Sequence, residues 1–281
     1  MVYGVLRMIN FAHGDVVMVG AMIGLAAVRF FAPLLGVPDP TGGSVITFLV
    51  VLPLAMAACA VIGVVIEFLA YRPLRHSPRI TVLITAIGVS FLLEYGGQAL
   101  LGANPRFFPR LVGSGSYTFL DDALVISKID LLTVSVSLVL MVCLQFIVFR
   151  TRIGTAMRAV SFNHDAARLM GVNVDAIITF TFALGSALAA AAGILLAVKV
   201  QKVEPLMGLM PGLKAFVAAV LGGIGNIPGA VAGGLVLGIT EAMVIGYGDS
   251  TYKDATAFVV LILILLFRPA GLFGTVVTEK V

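Results

Sequence analysis

Residues 222–229, Gly-Gly-Ile-Gly-Asn-Ile-Pro-Gly, interrupt an apolar run without charged residues that extends from Ala215 to Thr240. A run of this length predicts membrane helix, because about 20 apolar residues cross the hydrocarbon layer. The middle of the run disfavours regular helix, since glycine costs about 1 kcal/mol relative to alanine and Pro228 removes a backbone donor. Backbone groups freed at membrane depth are tolerated only where they are buried in protein or face water. A helix broken here therefore indicates a translocation element.

The composition places the chain among membrane proteins. Of its 281 residues, 60% are hydrophobic and 11% are charged, whereas soluble domains carry about 25% charged residues. The net charge of +4 suits basic loops on a protein in contact with lipid, and no basic patch interleaved with aromatic residues indicates nucleic-acid binding. Cys59 and Cys143 lie in apolar stretches without metal or redox spacing, so we expect small packing residues.

Counting apolar runs predicts an all-α, polytopic membrane protein that forms a single transmembrane domain over residues 1–281. The arginine clusters at 72–79 and 150–152 favour the cytoplasmic side for the loops that carry them, and we place both chain ends on that side. About seven membrane segments are expected, at 14–36, 45–70, 80–101, 130–149, 176–198, 212–246 (broken in the middle by Gly and Pro) and 252–272.

Three stretches together carry a resemblance to a known family: Ile9-Asn10-Phe11-Ala12-His13-Gly14-Asp15, the break at 222–229, and the loop at 152–171. With them, the chain resembles from end to end the LivH-type membrane permease of bacterial branched-chain amino acid ABC importers. The resemblance implies a multi-pass protein of the bacterial inner (plasma) membrane that imports hydrophobic amino acids and catalyses no reaction itself. Full-length members of the family have eight crossings, so we expect one further helix ahead of Met1 in a complete protein.

The same resemblance implies the partners of the chain. They are a second permease subunit, two ATPase subunits that bind ATP and Mg, and a periplasmic amino acid binding protein. No cofactor is expected in this chain, because no Gly-x-x-x-x-Gly-Lys-Ser/Thr loop for phosphate binding occurs in it. Related permeases for urea, amides or other amino acids are the alternative, as is a stand-alone channel or secondary transporter.

The loop at 150–175 is the expected coupling loop on the cytoplasmic side. Asp165-Ala166-Ala167-x-x-x-Gly171 resembles the Glu-Ala-Ala-x-x-x-Gly motif through which ABC importer permeases engage their ATPase, although Asp replaces Glu and the downstream Ile-x-Leu-Pro is absent. Asn163 or Asp165 can cap a short helix that Gly171 ends. An ordinary solvated basic loop is the alternative. The coupling residues predicted are Arg158, Asp165, Ala166, Ala167 and Gly171.

Polar residues at membrane depth need a reason, because a charge facing lipid costs about 2–3 kcal/mol. Glu94 and Glu241 are therefore expected either to pair with another segment or to line the substrate route. His13 is expected in a polar network at a helix start, and scattered histidines give no metal site. Glu67 is expected at a solvated helix end. The pathway residues predicted are Asn10, Phe11, His13, Asp15, Glu94, Gly223, Gly225, Asn226, Pro228 and Glu241.

Small residues at helical spacing are expected to serve close helix packing rather than recognition. The run Ala187–Ala192 in particular indicates a contact with another helix or subunit. The glycines in this group are Gly185, Gly193, Gly233, Gly234 and Gly238.

Overall fold

The computed structural model describes residues 12–34, 45–75, 77–113, 115–119, 124–268 and 270–274. Within these ranges the chain is almost entirely helical, and seven helices are long and apolar enough to cross a membrane. The expected all-α, multi-pass membrane architecture is confirmed. The seven are His13–Phe31, Val45–Leu74, Ile80–Leu101, Lys128–Arg150, Val174–Val200, Ile227–Tyr247 and Ser250–Phe267.

The described elements follow one another with short connections. The helices are α1 (His13–Leu34), α2 (Val45–Ile66), α3 (Arg79–Leu101), α4 (Lys128–Arg150), α5 (Arg152–Phe162), α6 (His164–Leu169), α7 (Val174–Val200), α8 (Leu209–Gly222), α9 (Ile227–Tyr247) and α10 (Lys253–Phe267). The strands are β1 (Arg106–Phe107), β2 (Ser116–Phe119), β3 (Leu124–Ser127) and β4 (Lys202–Val203). β1 pairs antiparallel with β4, and β2 pairs antiparallel with β3. Helix α2 continues into a π-helical turn at Glu67–Tyr71 and a 3-10 turn at Arg72–Leu74.

Helix α7 is the centre of the bundle, and small residues bring α1 against it. A Cβ added at Gly20 would collide with Ala190, and one at Gly24 would lie 2.9 Å from Ile194. A step of four residues toward the C-terminus of α1 moves the contact four residues toward the C-terminus of α7, so the two helices run parallel. The largest buried cluster lies where α1, α2 and α7 meet. Such backbone approach is how helices associate in lipid, where little hydrophobic driving force remains.

The break predicted within 222–229 is confirmed, and the chain reverses direction there. Helix α8 ends and α9 begins inside this stretch, with 223–226 as the turn. The two backbones touch beside the turn, and further along a Cβ at Gly233 of α9 would collide with the carbonyl of Ala218 of α8. The helices are therefore antiparallel. The segment expected at 212–246 is a helical hairpin, a shorter helix followed by a full-length span.

Helix α8 begins inside the bundle rather than at its end. Gly208 and Gly212 lie against Gly14 at the start of α1, with a Cβ at Gly212 only 2.8 Å from the Gly14 Cα. The neighbouring Asp15 contacts Ser90, which lies halfway along α3. The stretch between β4 and α8 thus returns the chain to the middle of the bundle.

The arginine-rich end of the bundle, called the basic end here, carries Arg72, Arg75, Arg150 and Arg152 at the ends of α2, α4 and α5. The turn 223–226 lies at this end, because it shares a cavity with α5. Since the hairpin reverses the chain, α10 runs back toward the basic end. The described C-terminal residues accordingly bond to the end of α8, where the Leu272 N–H donates to the Leu221 carbonyl at 2.8 Å.

Two details differ from the sequence-based expectation. The last span ends at Phe267 rather than at 272, because the chain then turns back onto α8. Gly234 and Gly238 have open space where a Cβ would point, so within the described chain they do not make the close helix contact expected for them. Gly193 and Gly233, by contrast, do meet neighbouring backbone.

Candidate translocation pathway and coupling segment

The hairpin turn 223–226 owes its shape to two glycines. Gly223 has a φ of 98° and Gly225 a φ of 96°, a region that residues with a Cβ rarely adopt. Asn226 then caps α9, since its Oδ1 accepts the Gly229 N–H at 3.0 Å. Pro228 stands in the first turn of α9, where its missing N–H has no intrahelical partner to lose. The proline is therefore compatible with the helix that follows the break.

The C-terminal residues brace this turn. The Asn226 Nδ2 donates to the Phe273 carbonyl at 3.3 Å, and the Phe273 N–H donates to the Gly222 carbonyl at 3.2 Å. A Cβ at Gly223 would meet the backbone of Gly274. Polar backbone groups released by the break are thus satisfied by another part of the protein.

A cavity of about 560 Å³ opens beside the turn, between α4, α5, α7 and the α8–α9 hairpin. Three predicted pathway residues line it, namely Gly223, Gly225 and Asn226, and so does Arg158, which was predicted as a coupling residue. The other lining residues are mostly Ala, Leu, Ile, Val, Met and Phe. The cavity combines an apolar wall with a few polar groups at one end, an arrangement typical of small-molecule sites.

Asp15 and Glu94 lie elsewhere, at the contact of α1 with α3. Both carboxyl groups are buried and interact with each other, and the Ser90 hydroxyl donates to Asp15. Among the described residues, neither carboxyl forms an ion pair with a lysine or arginine. Two buried carboxyls without a cation favour a site that holds a proton or a cationic group.

The remaining predicted pathway residues are scattered. His13 is the first residue of α1, while Asn10 and Phe11 lie outside the described residues. Glu241 pairs with Lys214 at 2.8 Å, and that lysine also pairs with Asp254 at 2.7 Å. This ion cluster joins α8, α9 and α10, which fits the structural alternative for Glu241. The structure therefore brings the predicted residues together in two places: the residues of the turn line the cavity, whereas Asp15 and Glu94 meet at the contact of α1 with α3.

Glu67 is fully buried, so the solvated position expected for it is wrong. The π-helical turn after α2 directs its carboxylate inward, where it pairs with Arg75 and accepts the Thr179 hydroxyl at 2.8 Å. Arg75 also pairs with Asp175 at the start of α7. This network ties α2 to α7 at the basic end. Hydropathy did not indicate this network, because the partners on α7, Asp175 and Thr179, are far from Glu67 and Arg75 along the chain.

The coupling loop folds into α5 and α6, two short helices that meet at Asn163. The Asn163 Oδ1 accepts the Asp165 and Ala166 N–H groups at 2.9 and 3.1 Å, so Asn163 is the cap that the sequence left open between two residues. Gly171 follows with a φ of 81° and ends the turn after α6. The expected short helix is confirmed, and Asn163 and Gly171 mark its beginning and its end.

The apolar residues of this loop divide between the bundle and solvent. Met157, Val160 and Ala167 are buried against α7 and its neighbours. Leu169 and Met170 are 89% and 84% exposed, and Phe162 is 86% exposed. Ala167, predicted as a coupling residue, therefore packs inward, whereas the predicted Asp165, Ala166 and Gly171 are exposed beside these apolar side chains. Because they lie outside the seven membrane spans, these exposed apolar side chains favour contact with a partner.

Helices α4 and α5 form a tight elbow. The Thr151 Oγ1 donates to the Ile147 carbonyl at 2.6 Å and accepts the Gly154 N–H at 3.1 Å. Arg158 Nη1 donates to the Val148 carbonyl at 2.6 Å. Helix α4 itself has no fully buried residue among those described, so it packs loosely on the bundle. These bonds join α5 to α4, which forms one wall of the cavity.

Comparison with known proteins gives a consistent family assignment. The family model described as "Branched-chain amino acid transport system / permease component" matches residues 1–266. The high-affinity branched-chain amino acid transport system permease protein BraD of Pseudomonas aeruginosa is 39% identical, over 100% of this chain and 91% of the relative. The corresponding LivH of Escherichia coli K12 is also 39% identical, over 100% of this chain and 90% of the relative. No solved structure matches.

A more distant relative extends the comparison to an archaeon. The probable branched-chain amino acid transport permease protein LivH of Methanocaldococcus jannaschii is 28% identical, over 94% of this chain and 82% of the relative. All three similarities run through the hairpin, the coupling loop and the core helices.

Proposed function

The chain belongs to the family of branched-chain amino acid transport permease components, and from that membership we propose that it forms the membrane path of an ATP-driven importer for branched-chain amino acids. The importer operates in the bacterial inner membrane. Partner ATPase subunits bind ATP and Mg, a second permease subunit completes the path, and a periplasmic binding protein delivers the amino acid. The chain itself catalyses no reaction.

The observation that carries this proposal is the coupling segment at the basic end. Phe162, Leu169 and Met170 project from α5 and α6, and together we call them the apolar tip. A small apolar surface on a short helix suits a groove in a soluble partner. Because α5 is joined rigidly to α4, a partner that moves the apolar tip also moves a wall of the cavity. This link supports ATP-driven transport over a stand-alone channel.

The proposed pathway keeps the residues predicted from the sequence. Asp15 and Glu94 provide a buried acidic site suited to the ammonium group of an amino acid, and Gly223, Gly225 and Asn226 line the exit toward the basic end. Pro228 supports the turn from the first turn of α9, and Glu241 holds the later part of α9 to Lys214 of α8. Rocking of α4 and α5 against the rest of the bundle exposes the path alternately.

The test is uptake of radiolabelled leucine into proteoliposomes that hold the complete complex, with ATP inside and the binding protein outside. The complex with Leu169→Ser and Met170→Ser is compared with one that carries Leu100→Ser, an equally exposed leucine in the last turn of α3. We expect the double variant to lose most ATP-dependent uptake, because its apolar tip no longer engages the ATPase, and the control to retain it.

Two results would contradict the proposal. Uptake by this chain without ATP and without partner subunits would indicate a channel or a secondary carrier. Full ATP-dependent uptake by the double variant would remove the coupling role of the apolar tip.

A further inference from the structure

We propose that the cavity beside the hairpin turn holds the transported amino acid on its way to the cytoplasm, with the substrate carboxylate on Arg158. The inference rests on the proposed function, because the transport of branched-chain amino acids supplies the occupant. It gives Arg158 a role in substrate binding, whereas the sequence motif indicated a contact with the ATPase.

The size and lining of the cavity suit an amino acid with an apolar side chain. Its volume of about 560 Å³ lies within the range of small-molecule sites. Leu140, Leu144, Leu188 and Phe216 are among the side chains of its wall. Such a wall favours leucine, isoleucine and valine over polar amino acids, because an apolar side chain gains free energy by leaving water for contact with it.

Arg158 is the one ionisable side chain among the described residues that line the cavity. Its guanidinium is oriented by the Val148 carbonyl, by the Thr155 hydroxyl at 3.5 Å, and by the Phe149 ring, whose centre is 5.3 Å away. A guanidinium has five N–H donors, and these contacts use two of them. The group is therefore positioned and has donors left for a carboxylate, the anion whose geometry it matches best.

The length of the cavity fits this orientation of the substrate. Along α4 the lining residues run from Val148, beside Arg158, to Ser137, which is about 16 Å further into the bundle at 1.5 Å per residue. An amino acid whose carboxylate lies on Arg158 can thus direct its side chain into the apolar part. The single positive charge at one end favours an occupant with one anionic group and an apolar body.

The position of Arg158 also explains how release can be coupled to ATP. Arg158 belongs to α5, the helix that connects the apolar tip to α4. A movement of α5 displaces the carboxylate contact and the α4 wall at the same time. Binding in this cavity is therefore expected to be weak and to change during the transport cycle.

Cysteine protection tests the inference on the complete complex in nanodiscs. Leu144→Cys, which lines the cavity, is placed in a chain with Cys59→Ala and Cys143→Ala, and its alkylation rate is measured with leucine or with leucinol, which lacks the carboxylate. The reference protein keeps only the native Cys143, which is exposed and does not line the cavity. We expect leucine to slow alkylation of Leu144→Cys and to leave Cys143 unchanged. Leucinol should protect far less.

Two arginine variants complete the test. Arg158→Gln should raise the half-protecting leucine concentration about tenfold, the effect of losing one charge-assisted hydrogen-bonded contact. Arg152→Gln removes the same charge from the same helix but does not line the cavity, so protection should stay as in the parent. Absence of leucine protection, equal protection by leucinol, or equal loss in both arginine variants would overturn the inference. ATP-dependent uptake by the parent complex, measured in parallel, tells this failure apart from a failure of the proposed function.

Discussion

One face of α7 packs against α1 and α2 through glycine and alanine, whereas its opposite face borders the cavity. On the first face, Ala190, Gly193 and Ala197 are buried, and a Cβ at Gly193 would collide with the Val17 carbonyl. On the second face, Leu188 and Ala192 line open space. Direct backbone contact makes the first face intolerant of added volume. The second face leaves open space beside it, so added volume should be tolerated there.

Placing a valine on each face tests this difference most directly. Gly193→Val should prevent folding, because even the Cβ of valine would collide with the backbone of α1. Ala192→Val, one residue earlier, should fold normally since its side chain points into the cavity. The measurement is the yield of monodisperse protein in detergent together with its melting temperature. Equal behaviour of the two variants would show that the faces do not differ in packing.

The second prediction compares two buried acids. Glu67→Gln should lower the free energy of unfolding by about 3 kcal/mol, because it leaves the largely buried Arg75 with one anionic partner fewer. Glu94→Gln should leave stability unchanged or raise it, since it removes one of two buried carboxyl groups that face each other. Denaturation of both variants in the same detergent provides the measurement. A large loss of stability in Glu94→Gln would indicate a cationic partner for that carboxyl.

Filling the cavity tests whether the open space beside α7 is needed for transport. Ala192→Phe should reduce the rate of ATP-dependent leucine uptake about tenfold or more, because the ring occupies volume that the substrate needs. The melting temperature should change little, as the added ring enters open space. Uptake by the Ala192→Val complex is expected to lie between those of the Phe variant and the parent. Unchanged uptake with Phe would place the substrate path outside this cavity.

The smallest expected effect concerns glycines of α9. Gly238→Ala should change stability by less than about 1 kcal/mol, because open space surrounds this position and alanine favours helix. Gly233→Ala should destabilise the protein by about 1–3 kcal/mol, since its Cβ would meet the backbone of α8. The measurement is the melting temperature of each of these two variants. An unchanged melting temperature of Gly233→Ala would show that α8 and α9 can move apart at this point without loss of stability.

Much of the fold was predictable, because the membrane imposes its own length and polarity on each span. The apolar runs at 45–70, 80–101, 130–149 and 176–198 all became helices near their expected bounds. The break at 222–229 was predictable as well, because glycine and proline affect the backbone locally. Whether the chain continues or reverses after a break depends on contacts with other helices, and the antiparallel packing of α8 on α9 was visible only in three dimensions.

The candidate site was less predictable. The sequence indicated Gly223, Gly225 and Asn226 as pathway residues, and the structure places all three on one cavity. It also indicated Asp15 and Glu94, and these lie together on the far side of α7. Pathway roles for both groups stay predictions. The spacing of residues along the sequence does not show which face of the central helix α7 a distant residue lies on.

From sequence alone one can predict a helical chain with about seven membrane spans, a break near residue 225 and a short capped helix after α5. These features follow from hydropathy, from glycine and proline, and from a capping Asn, which all act within a few residues. The hairpin reversal and the burial of Glu67 on Arg75 became visible only in the folded chain. The same is true of the exposure of the apolar tip and the placement of Arg158 at the cavity. Each of these depends on contacts between segments far apart in the chain, which local chemistry does not specify.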